Sequence, residues 1–380
     1  MSNIIVIGAG MVGSAMAIDL SKDHRVTLAD IKEDALHKAV QKCKSIIIQK
    51  LDVTSKELLQ QFITPFDLVI CAVPGYLGFE TLKSIIEAGK NVIDISFFPE
   101  DSLLLDTQAR QKQVTAIVDC GVAPGMHNLI LGYWNEKLKL TDFECVVGGL
   151  PKIRKWPFYY KAPFSPVDVI EEYMRPARFV QSGKIIVKEP LTDSEYIEFD
   201  KVGTLESFNS DGLRTILHTM RHIPDMKEKT LRYPGHIAYI RMLKESGFFS
   251  EEKMKLKGAE ISPLEFTSKI LLKAWELEEK EEEITVMRVT LKGLDQNGQT
   301  EEIVYNLYDE YCHDTQTSSM ARTTGYTATA AANMVLDGLF TEKGVFPPEL
   351  VGRYENCFQY IIGYLAERNI HFVCARNLHD

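Results

Sequence analysis

Three residues of the acid–base type lie at the ends of predicted strands or in the turn that follows them: Asp94, Asp119 and His127. A carboxylate or an imidazole at such a place can take a proton from a substrate bound against the sheet. Each also has a purely structural interpretation, because the aspartates could cap turns or helices and His127 could be an ordinary early-helix residue. The residue types therefore indicate general-base chemistry without selecting one base.

Basic and aromatic side chains further along the chain suit a ligand that carries a carboxylate. The predicted substrate-binding residues are Arg214, Arg232, Tyr160, Lys161 and His236. Arginine has a planar fork that binds a carboxylate through paired hydrogen bonds, and Arg178 is a third choice for this role. Structural arginines and packed aromatic side chains are the competing interpretations.

A glycine pattern near the N-terminus is typical of dinucleotide binding. In IIVIGAGMVGSAMAIDL, residues 4–20, an apolar run meets Gly8, Gly10 and Gly13 in the order G-x-G-x-x-G. Gly8 permits a tight turn, Gly10 lets the backbone approach a pyrophosphate, and Gly13 allows close packing of helix on strand. The N-terminus of the helix then presents free N–H groups to the phosphates. An ordinary strand, turn and helix without a ligand is the alternative.

Asp30 ends the second predicted strand, seventeen residues after Gly13, and indicates which dinucleotide binds. Its carboxylate can accept hydrogen bonds from both ribose hydroxyls and would repel a 2′-phosphate, which favours NAD over NADP, although Lys32 slightly weakens that preference. Ligands of such sheets bind at the carboxyl ends of the strands, so we expect the loops there to complete the wall. The further predicted cofactor contacts are Met11, Val12, Asp52, Val53, Ala72, Val73, Pro74, Ser96 and Gly121.

The first 120 residues supply the strands that position these side chains. Short β-branched runs alternate there with helical segments, which is the signature of a parallel sheet covered by helices. The predicted strands are Ile4–Ile7, Arg25–Ala29, Ser45–Gln49, Leu68–Ala72, Asn91–Ile95 and Ala116–Val118. This pattern predicts a doubly wound Rossmann sheet of the α/β class over residues 1–122.

Beyond residue 122 the pattern predicts a second, α+β domain with a largely antiparallel sheet over residues 123–315. GMHNLILGYWNEKL predicts a helix, DFECVVGGLP a strand that ends in a Gly-Gly-Leu-Pro turn, and the runs that flank Asp295–Gly298 a hairpin. The acidic stretch ELEEKEEE at 276–283 is predicted to be the solvated end of a helix. Residues 316–380 are predicted to form C-terminal helices that pack back near the first domain.

Composition and charge exclude several classes of protein. The chain has 380 residues, a formal net charge of −10 and 45% hydrophobic residues, which is ordinary for a globular protein. An acidic chain does not favour a nucleic-acid partner, and no apolar run is long enough to span a membrane. Seven scattered cysteines without a C-x-x-C pair predict reduced thiols and no metal, so we expect a cytoplasmic protein with a small-molecule ligand.

Several segments, taken in order along the chain, resemble one family. They are GAGMVG, CAVPGYLGFETLKSIIEAGKNVIDIS, DCGVAPGMHNLILGY, VVGGLP, YYKAPFSPVDVIEEY, TLRYPGHIAYIRML and ARTTGYTATAAANM. This set covers nearly the whole chain and resembles the saccharopine dehydrogenase/reductase family, in particular its bacterial and archaeal branch that acts on lysine. The chain departs from the saccharopine reductases at the cysteine that precedes Gly-Gly-Leu-Pro. Val147 stands there, with Cys145 two residues earlier, so the role of that cysteine does not transfer.

The resemblance implies an enzyme that oxidises the ε-amino carbon of L-lysine with NAD. The products would be ammonia, NADH and 2-aminoadipate 6-semialdehyde, which cyclises. Hydride leaves a carbon that bears an amine only when the nitrogen is neutral, and a free lysine amine has a pKa of about 10.4, so a base or a desolvating pocket is required. The resemblance also indicates a homodimer, as do the sheet edges that the second domain must cover.

Two alternatives stay open at this point. A saccharopine-like or other opine-type secondary amine carries an extra dicarboxylate, and it would need several of Lys152, Arg154, Lys155 and Lys161 in the nicotinamide pocket. A regulator that binds NAD(H) without turnover would keep the glycine motif and Asp30, but it would lack converging acid, base and arginine side chains in the second domain. The positions of these residues in the fold discriminate between the alternatives.

Overall fold

Seven parallel strands form the first sheet of the computed structural model, which describes residues 1–163, 166–278 and 281–379. In spatial order they are β17 (Gly344–Phe346), β6 (Thr115–Ile117), β5 (Asn91–Asp94), β4 (Leu68–Cys71), β1 (Asn3–Ile7), β2 (Arg25–Asp30) and β3 (Ile47–Lys50). The helices that connect them are α1 (Met11–Leu20), α2 (Glu33–Lys42), α3 (Lys56–Ile63), α4 (Gly75–Glu87) and α5 (Asp106–Gln111), with a 3₁₀ turn at Ser102–Leu105. This architecture confirms the predicted Rossmann-type α/β class.

Both faces of this sheet are buried, which explains why its strands consist of continuous apolar runs. Along β1, Ile4 and Val6 belong to one hydrophobic cluster, whereas Ile5 and Ile7 belong to the cluster on the opposite face. The chain order reverses between β1 and β4, because β2 and β3 lie on one side of β1 and the later strands lie on the other. A crevice at the carboxyl ends of β1 and β4 follows from that reversal.

The seventh strand, β17, comes from near the C-terminus and pairs with β6 in parallel. It follows α11 (Ser319–Leu336) and precedes α12 (Pro348–Gly352) and α13 (Glu355–Ala366). An ion pair ties this C-terminal part to the first domain, because Arg368 Nε lies 2.9 Å from a carboxylate oxygen of the buried Asp19 in α1. The sequence prediction lacks this strand, since three residues are too few to show a period.

The second sheet has nine strands and is antiparallel except where β7 and β12 pair in parallel. Its strands are β7 (Lys139–Pro151), β8 (Ala177–Gln181), β9 (Lys184–Lys188), β10 (Glu195–Phe199), β11 (Gly203–Asn209), β12 (Asp225–Arg232), β15 (Glu283–Leu294), β16 (Thr300–Glu310) and β18 (Phe372–His379). The predicted hairpin is confirmed, since β15 and β16 pair throughout their length around Asp295–Gly298.

Helices of the second domain lie mostly beside this sheet. They are α6 (Met126–Asn135), α7 (Pro166–Met174), α8 (Ile216–Thr219), α9 (His236–Glu245) and α10 (Pro263–Trp275), and a small ribbon of β13 (Met254–Leu256) and β14 (Ala259–Ile261) precedes α10. The predicted helix in GMHNLILGYWNEKL is confirmed as α6. The division of the chain at residues 122 and 315 stays a prediction.

Two local predictions are wrong. The Gly-Gly-Leu-Pro segment is no turn but the end of β7, where a Cβ on Gly148 would lie 2.7 Å from the carbonyl oxygen of Leu231. Because these glycines have no side chain, neighbouring backbone and side chains of the second domain can pack closely against β7. The acidic stretch is not helical at 276–278 and 281–283, because α10 ends at Trp275 and Glu283 is buried at the start of β15, and residues 279–280 lie outside the described residues.

None of the helices within the described ranges is long and apolar enough to cross a membrane. The cysteines are all free thiols, as their spacing predicts, and Cys71, Cys120 and Cys145 are buried. Burial raises the pKa of these three thiols above the usual range. Such thiols are structural apolar groups at neutral pH, not reactive ones.

Candidate active site

The glycine loop between β1 and α1 has the shape of a dinucleotide cradle. Gly8 has a φ of +110°, and a Cβ there would lie 2.3 Å from the carbonyl oxygen of Ala72. A Cβ on Gly13 would lie 1.8 Å from the carbonyl oxygen of Gly8, so both positions exclude a side chain. By contrast, no atom lies within 4 Å of a Cβ built on Gly10. The open space is therefore beside the glycine that the motif assigns to the pyrophosphate.

Asp30 holds this loop from the end of β2. One of its carboxylate oxygens accepts the backbone N–H of Ala9 at 2.6 Å, and the other accepts the N–H of Lys32 at 2.8 Å. A carboxylate has about four acceptor sites, so two remain for ribose hydroxyls. The side chain is half-buried at the strand end, which is where the prediction requires it.

The other predicted cofactor contacts lie along the same edge of the sheet but differ in exposure. The exposed ones are Met11 and Pro74, the half-buried ones Val12, Val53 and Ala72, and the buried ones Val73, Ser96 and Gly121. Asp52 is exposed and caps its own turn, because it accepts the backbone N–H of Thr54 at 2.9 Å and its hydroxyl at 2.7 Å. These hydrogen bonds lower the pKa of Asp52.

Asp119 and Arg214 do not serve as a free base and a free clamp, because they bind each other. Arg214 Nε donates to both carboxylate oxygens of Asp119 at 3.0 and 2.9 Å, and both side chains are buried. Arg214 Nη1 also donates to the carbonyl oxygen of Phe98 at 2.8 Å. This pair links the end of β6 to the second domain directly beside the predicted nicotinamide position.

Asp94 is fully buried at the end of β5, and its carboxylate lies beside Cys71 and Ser96. Burial raises the pKa of Asp94 to about 7, and the nearby charge of Asp119 adds to the rise. A carboxyl group in this state is partly protonated at neutral pH. It lies beneath the site surface in this structure.

A narrow pocket of about 50 Å³ opens between the two domains. On the side of the first domain the pocket is lined by Phe97, which follows β5, and by Ala123 and Pro124 in the turn after β6. The remaining wall belongs to the second domain and consists of Val147, Glu171, Glu172, Arg175, Ser210, Asp211, Gly212, Glu228 and Thr230. Four of these side chains are acidic and one is basic, but Arg232 and Arg178 bind two of the acidic ones, Glu172 and Asp211.

Glu228 forms the deepest acidic part of this pocket. It is almost fully buried on β12, opposite Cys145 on β7, and its Oε2 lies 3.1 Å from Nε2 of His127. The two groups are in contact without the alignment of a hydrogen bond, since neither ring nitrogen of His127 has a hydrogen-bond partner among the described residues. His127 begins α6 and stacks on Phe143.

Three other predicted residues are brought together behind the pocket wall. Arg232 is 1% exposed and donates to the hydroxyls of Tyr173 at 3.1 Å and Tyr160 at 3.4 Å, and to Glu172 at 2.9 Å. His236 contacts the Tyr173 hydroxyl through Nε2 at 2.9 Å. Burial, together with the charge of Arg232, lowers the pKa of His236 to about 3. The group therefore orients Glu172 and does not itself line the pocket.

The four basic residues that would favour a larger substrate do not converge on the pocket. Lys152 pairs with Glu282 of the acidic stretch and with Glu310 at the end of β16. Lys155 pairs with Glu281 of the acidic stretch. Lys161, predicted to bind substrate, instead donates to the carbonyl oxygen of Glu276 and lies 3.4 Å from Glu281. Arg154 stacks on the ring of Tyr233. We find none of them in the pocket lining.

Sequence reasoning missed most of the acidic wall. Glu171 and Glu172 lie in the last turn of α7 and Arg175 directly follows it, and their i,i+3 and i,i+4 spacing in VIEEYMR indicates a common face. Asp211 and Glu228 carry no comparable local signal. Asp211 is bound by Arg178 through two hydrogen bonds of 2.9 and 2.8 Å, so Arg178 too is occupied.

The first domain is a doubly wound sheet with a glycine cradle at its crevice, and the second domain adds a polar pocket at the same edge. Together they define a two-domain dinucleotide-dependent oxidoreductase. Residues 4–117 match the Saccharopine dehydrogenase NADP binding domain, and residues 121–370 match the Saccharopine dehydrogenase C-terminal domain. The chain belongs to the saccharopine dehydrogenase family. This confirms the resemblance, the enzyme class and an NAD(P)-binding domain.

Relatives by sequence carry several names. The chain is 26% identical over 285 residues to saccharopine dehydrogenase [NADP(+), L-glutamate-forming] of Pyricularia oryzae, covering 71% of this chain and 63% of that one. It is 25% identical to alpha-aminoadipic semialdehyde synthase of Arabidopsis thaliana, where the match spans 60% of this chain but only 23% of the relative. Carboxynorspermidine synthase of Vibrio cholerae is 23% identical, with 91% and 92% of the two chains covered.

Solved structures support the fold. Apo saccharopine dehydrogenase (L-Glu forming) from Saccharomyces cerevisiae matches with a TM-score of 0.80 at 20% identity, over 99% of this chain and all of that one. Homospermidine synthase from Legionella pneumophila, solved with NAD, matches with a TM-score of 0.69 at 13% identity over 99% and 91%. At such identities the likeness establishes the architecture and leaves the substrate to the residues of the pocket.

Proposed function

We propose that the chain is a lysine 6-dehydrogenase, which oxidises the ε-amino carbon of L-lysine with NAD. The products are 2-aminoadipate 6-semialdehyde, which cyclises to piperideine-6-carboxylate, together with ammonia and NADH. The observation that carries the proposal is the pocket beside the predicted nicotinamide position, where Glu228 lines the wall in contact with His127, whereas Glu172 and Asp211 are bound by Arg232 and Arg178.

Charge and size both favour a primary amine at this place. Lysine carries two ammonium groups and one carboxylate, which suits several acidic side chains and Arg175 as a clamp. A cavity of about 50 Å³ has room for roughly four water molecules, or for the end of an aminoalkyl chain. The basic residues that a dicarboxylate arm would need are paired elsewhere.

NAD is the cofactor that the cradle supports best. Asp30 places a negative charge at the end of β2, beside the loop that the pyrophosphate would approach. A 2′-phosphate would meet that charge, whereas a 2′-hydroxyl can donate to it. Lys32 and Lys50 are exposed at the same end of the sheet, but Lys50 pairs with Glu33 at 2.9 Å.

A secondary-amine dehydrogenase of the opine type is the second candidate. The nearly full-length match to a relative named carboxynorspermidine synthase favours it. An acidic pocket also suits a diamine or polyamine as one half of such a conjugate.

One experiment separates the two candidates. The purified chain is mixed with NAD and, in separate cuvettes, L-lysine, saccharopine or 1,5-diaminopentane, and NADH formation is followed by absorbance. The proposal predicts turnover with L-lysine at a kcat/KM at least tenfold above that with saccharopine. The reverse order would support the second candidate, and the same would hold if NADH were consumed only with an amine and an aldehyde together.

We further propose a homodimer that works in the cytoplasm. The second sheet has edge strands at β10 and β18, whose unpaired backbone groups need a cover. Light scattering coupled to size exclusion tests the dimer, and a mass near 43 kDa would contradict it. Cell fractionation tests the location.

A further inference from the structure

Glu228 occupies a place in the pocket that differs from that of every other carboxylate there. We propose that Glu228 is the base that takes the proton from the substrate ammonium group and that His127 is the residue that positions it. This inference rests on the proposed function, which requires a neutral amine before hydride transfer. Sequence reasoning assigned the base to Asp94, Asp119 or His127 itself.

Glu228 is held between the pocket and the protein interior. Its side chain lines the pocket but is only about 5% exposed, whereas His127 behind it is fully buried and does not line the pocket. On the other side Gly212 leaves no room, since a Cβ there would lie 1.9 Å from Oε1 of Glu228. The carboxylate is thus fixed by close contacts on two sides and open toward the substrate space.

Three other carboxylates at the site are bound to arginines, whereas the fully buried Asp94 lies beneath the site surface. Asp119 binds Arg214, Asp211 binds Arg178, and Glu172 binds Arg232. Arginine stays charged at any working pH, so each of these three carboxylates already has a charged partner. Glu228 instead has a histidine as its neighbour, with 3.1 Å between its Oε2 and Nε2 of His127.

The proton and electron balance is simple. Glu228 in its carboxylate form takes one proton from R–CH₂–NH₃⁺, which leaves R–CH₂–NH₂ and a carboxylic acid. Hydride then moves from carbon to NAD⁺, giving NADH and R–CH=NH₂⁺, and addition of water yields the aldehyde and NH₄⁺. The proton on Glu228 can return to solvent through the pocket, which its side chain lines, before the next turnover.

A metal ion is the competing occupant of this cluster. The ligand atoms of His127, Cys145 and Glu228 lie within 4.8 Å of one another. One observation disfavours an ion. A metal-bound histidine almost always donates its second ring N–H to a partner, and Nδ1 of His127 has none among the described residues.

The test compares Glu228→Gln, His127→Gln and the double variant, with Glu144→Gln as a matched control. Glu144 lies next to Cys145 on β7, pairs with Lys227 and lies outside the pocket lining. At pH 7.5 we expect Glu228→Gln to lower kcat/KM for L-lysine by about 10²- to 10⁴-fold. The deficit should shrink about tenfold per pH unit toward pH ~10.4, because free amine becomes available in solution.

His127→Gln should cost about tenfold in kcat with little change in KM, and should cost nothing more when Glu228→Gln is already present. Fluorescence titration with NADH shows whether the first domain of each variant is folded and binds the cofactor. The base assignment is overturned if the wild-type enzyme oxidises lysine and Glu228→Gln keeps the wild-type rate. It is also overturned if the rate of Glu228→Gln is reduced by the same factor at every pH, and in both cases the proposed function remains. One zinc per chain that is lost in Cys145→Ser overturns it in favour of a metal. A wild-type chain that oxidises no amine contradicts the proposed function, and the base assignment falls with it.

Discussion

Arg214 and Asp119 form a buried pair in which the guanidinium Nε donates to both oxygens of the carboxylate, at 3.0 and 2.9 Å. Both residues have left-handed backbone conformations, with φ of +44° and +52°. The pair joins the carboxyl end of the first sheet to the loop before α8 in the second domain. It fixes the distance between the cofactor cradle and the pocket that faces it.

Breaking this pair should destabilise the protein more than losing a surface ion pair does. Arg214→Met leaves a buried, uncompensated carboxylate, so we expect a loss of about 3–5 kcal/mol in the free energy of unfolding. Asp119→Asn together with Arg214→Met should recover part of that loss. Urea titration measures the loss in the free energy of unfolding. The control is Glu245→Gln, which breaks the exposed pair with Arg241 and should cost less than about 1 kcal/mol. Equal losses for the buried and exposed pairs would contradict the structural role.

Gly212→Ala should impair amine oxidation without affecting the cofactor. The new methyl group would lie 1.9 Å from Oε1 of Glu228 and must push the carboxylate away from the pocket. A displacement of about 1 Å at a reacting group can cost 10²-fold in kcat/KM. The control is Gly363→Ala on α13, where nothing lies within 4 Å of the added Cβ. Unchanged steady-state kinetics for Gly212→Ala would show that Glu228 has no fixed position.

Arg175→Met should separate recognition of the carboxylate from recognition of the amine. Arg175 is the basic residue of the pocket wall, and it lies 3.7 Å from Glu171 rather than in a tight pair. A hydrogen bond to a charged group contributes about 1.5–3 kcal/mol, so KM for L-lysine should rise roughly 10- to 100-fold. KM for 1,5-diaminopentane, which has no carboxylate, should not rise. Arg241→Met on the exposed face of α9 is the control, and an equal effect on both substrates would exclude Arg175 as the clamp.

The cofactor half of the molecule could be predicted from sequence because its signals are local. Gly8, Gly10 and Gly13 sit within six positions, and Asp30 ends the very next strand. The seventh strand escaped prediction since it reaches the sheet from residues 344–346. The Gly-Gly-Leu-Pro segment misled because glycine and proline indicate turns, whereas here they allow the close approach of Leu231.

The pocket could not be predicted because its residues meet through long-range contacts. Asp119 and Arg214 were each identifiable as functional types, but they are 95 positions apart and only the fold shows that they neutralise each other. Glu228 lies in DMKEKTLR, where alternating charges give no sign of the buried face. Its orientation is decided by the register with β7, which sets it opposite Cys145 and next to His127.

Asp30→Ser should shift the cofactor preference toward NADP. The variant loses the acceptor for the ribose hydroxyls and the charge that repels a 2′-phosphate, while exposed Lys32 stays nearby. We expect the ratio of NAD to NADP affinity to fall about 10- to 100-fold, because one or two hydrogen bonds to a charged group are involved. Fluorescence titration with NADH and NADPH measures the ratio, and Asp23→Ser, in the exposed turn that precedes β2 at the other end of the sheet, is the control. A wild-type protein that already prefers NADPH would contradict the proposal of NAD.

Glu283→Gln should stabilise the protein at high pH and leave it nearly unchanged at low pH. Glu283 is buried where β15 begins, and its Oε1 accepts the backbone N–H of Met320 at 2.7 Å. Burial raises its pKa to about 8, and the charge of Asp309 adds to the rise. The folded state therefore binds the proton more tightly than the unfolded state, whose carboxyl has the ordinary pKa near 4.5.

The stability that this proton provides is fully present below pH ~4.5 and is lost as the pH rises through about 8. Glutamine resembles the protonated acid at every pH, so urea titration should show near equality at pH 5. At pH 9 the variant should be more stable by roughly 2–5 kcal/mol. Glu282→Gln is the matched control. The Lys152 ammonium lowers the pKa of Glu282, so the Glu282 carboxylate stabilises the folded state at high pH. Glu282→Gln should therefore lower the free energy of unfolding at pH 9, by less than about 1 kcal/mol. A difference for Glu283→Gln that does not grow between pH 5 and pH 9 would show that this carboxyl titrates normally.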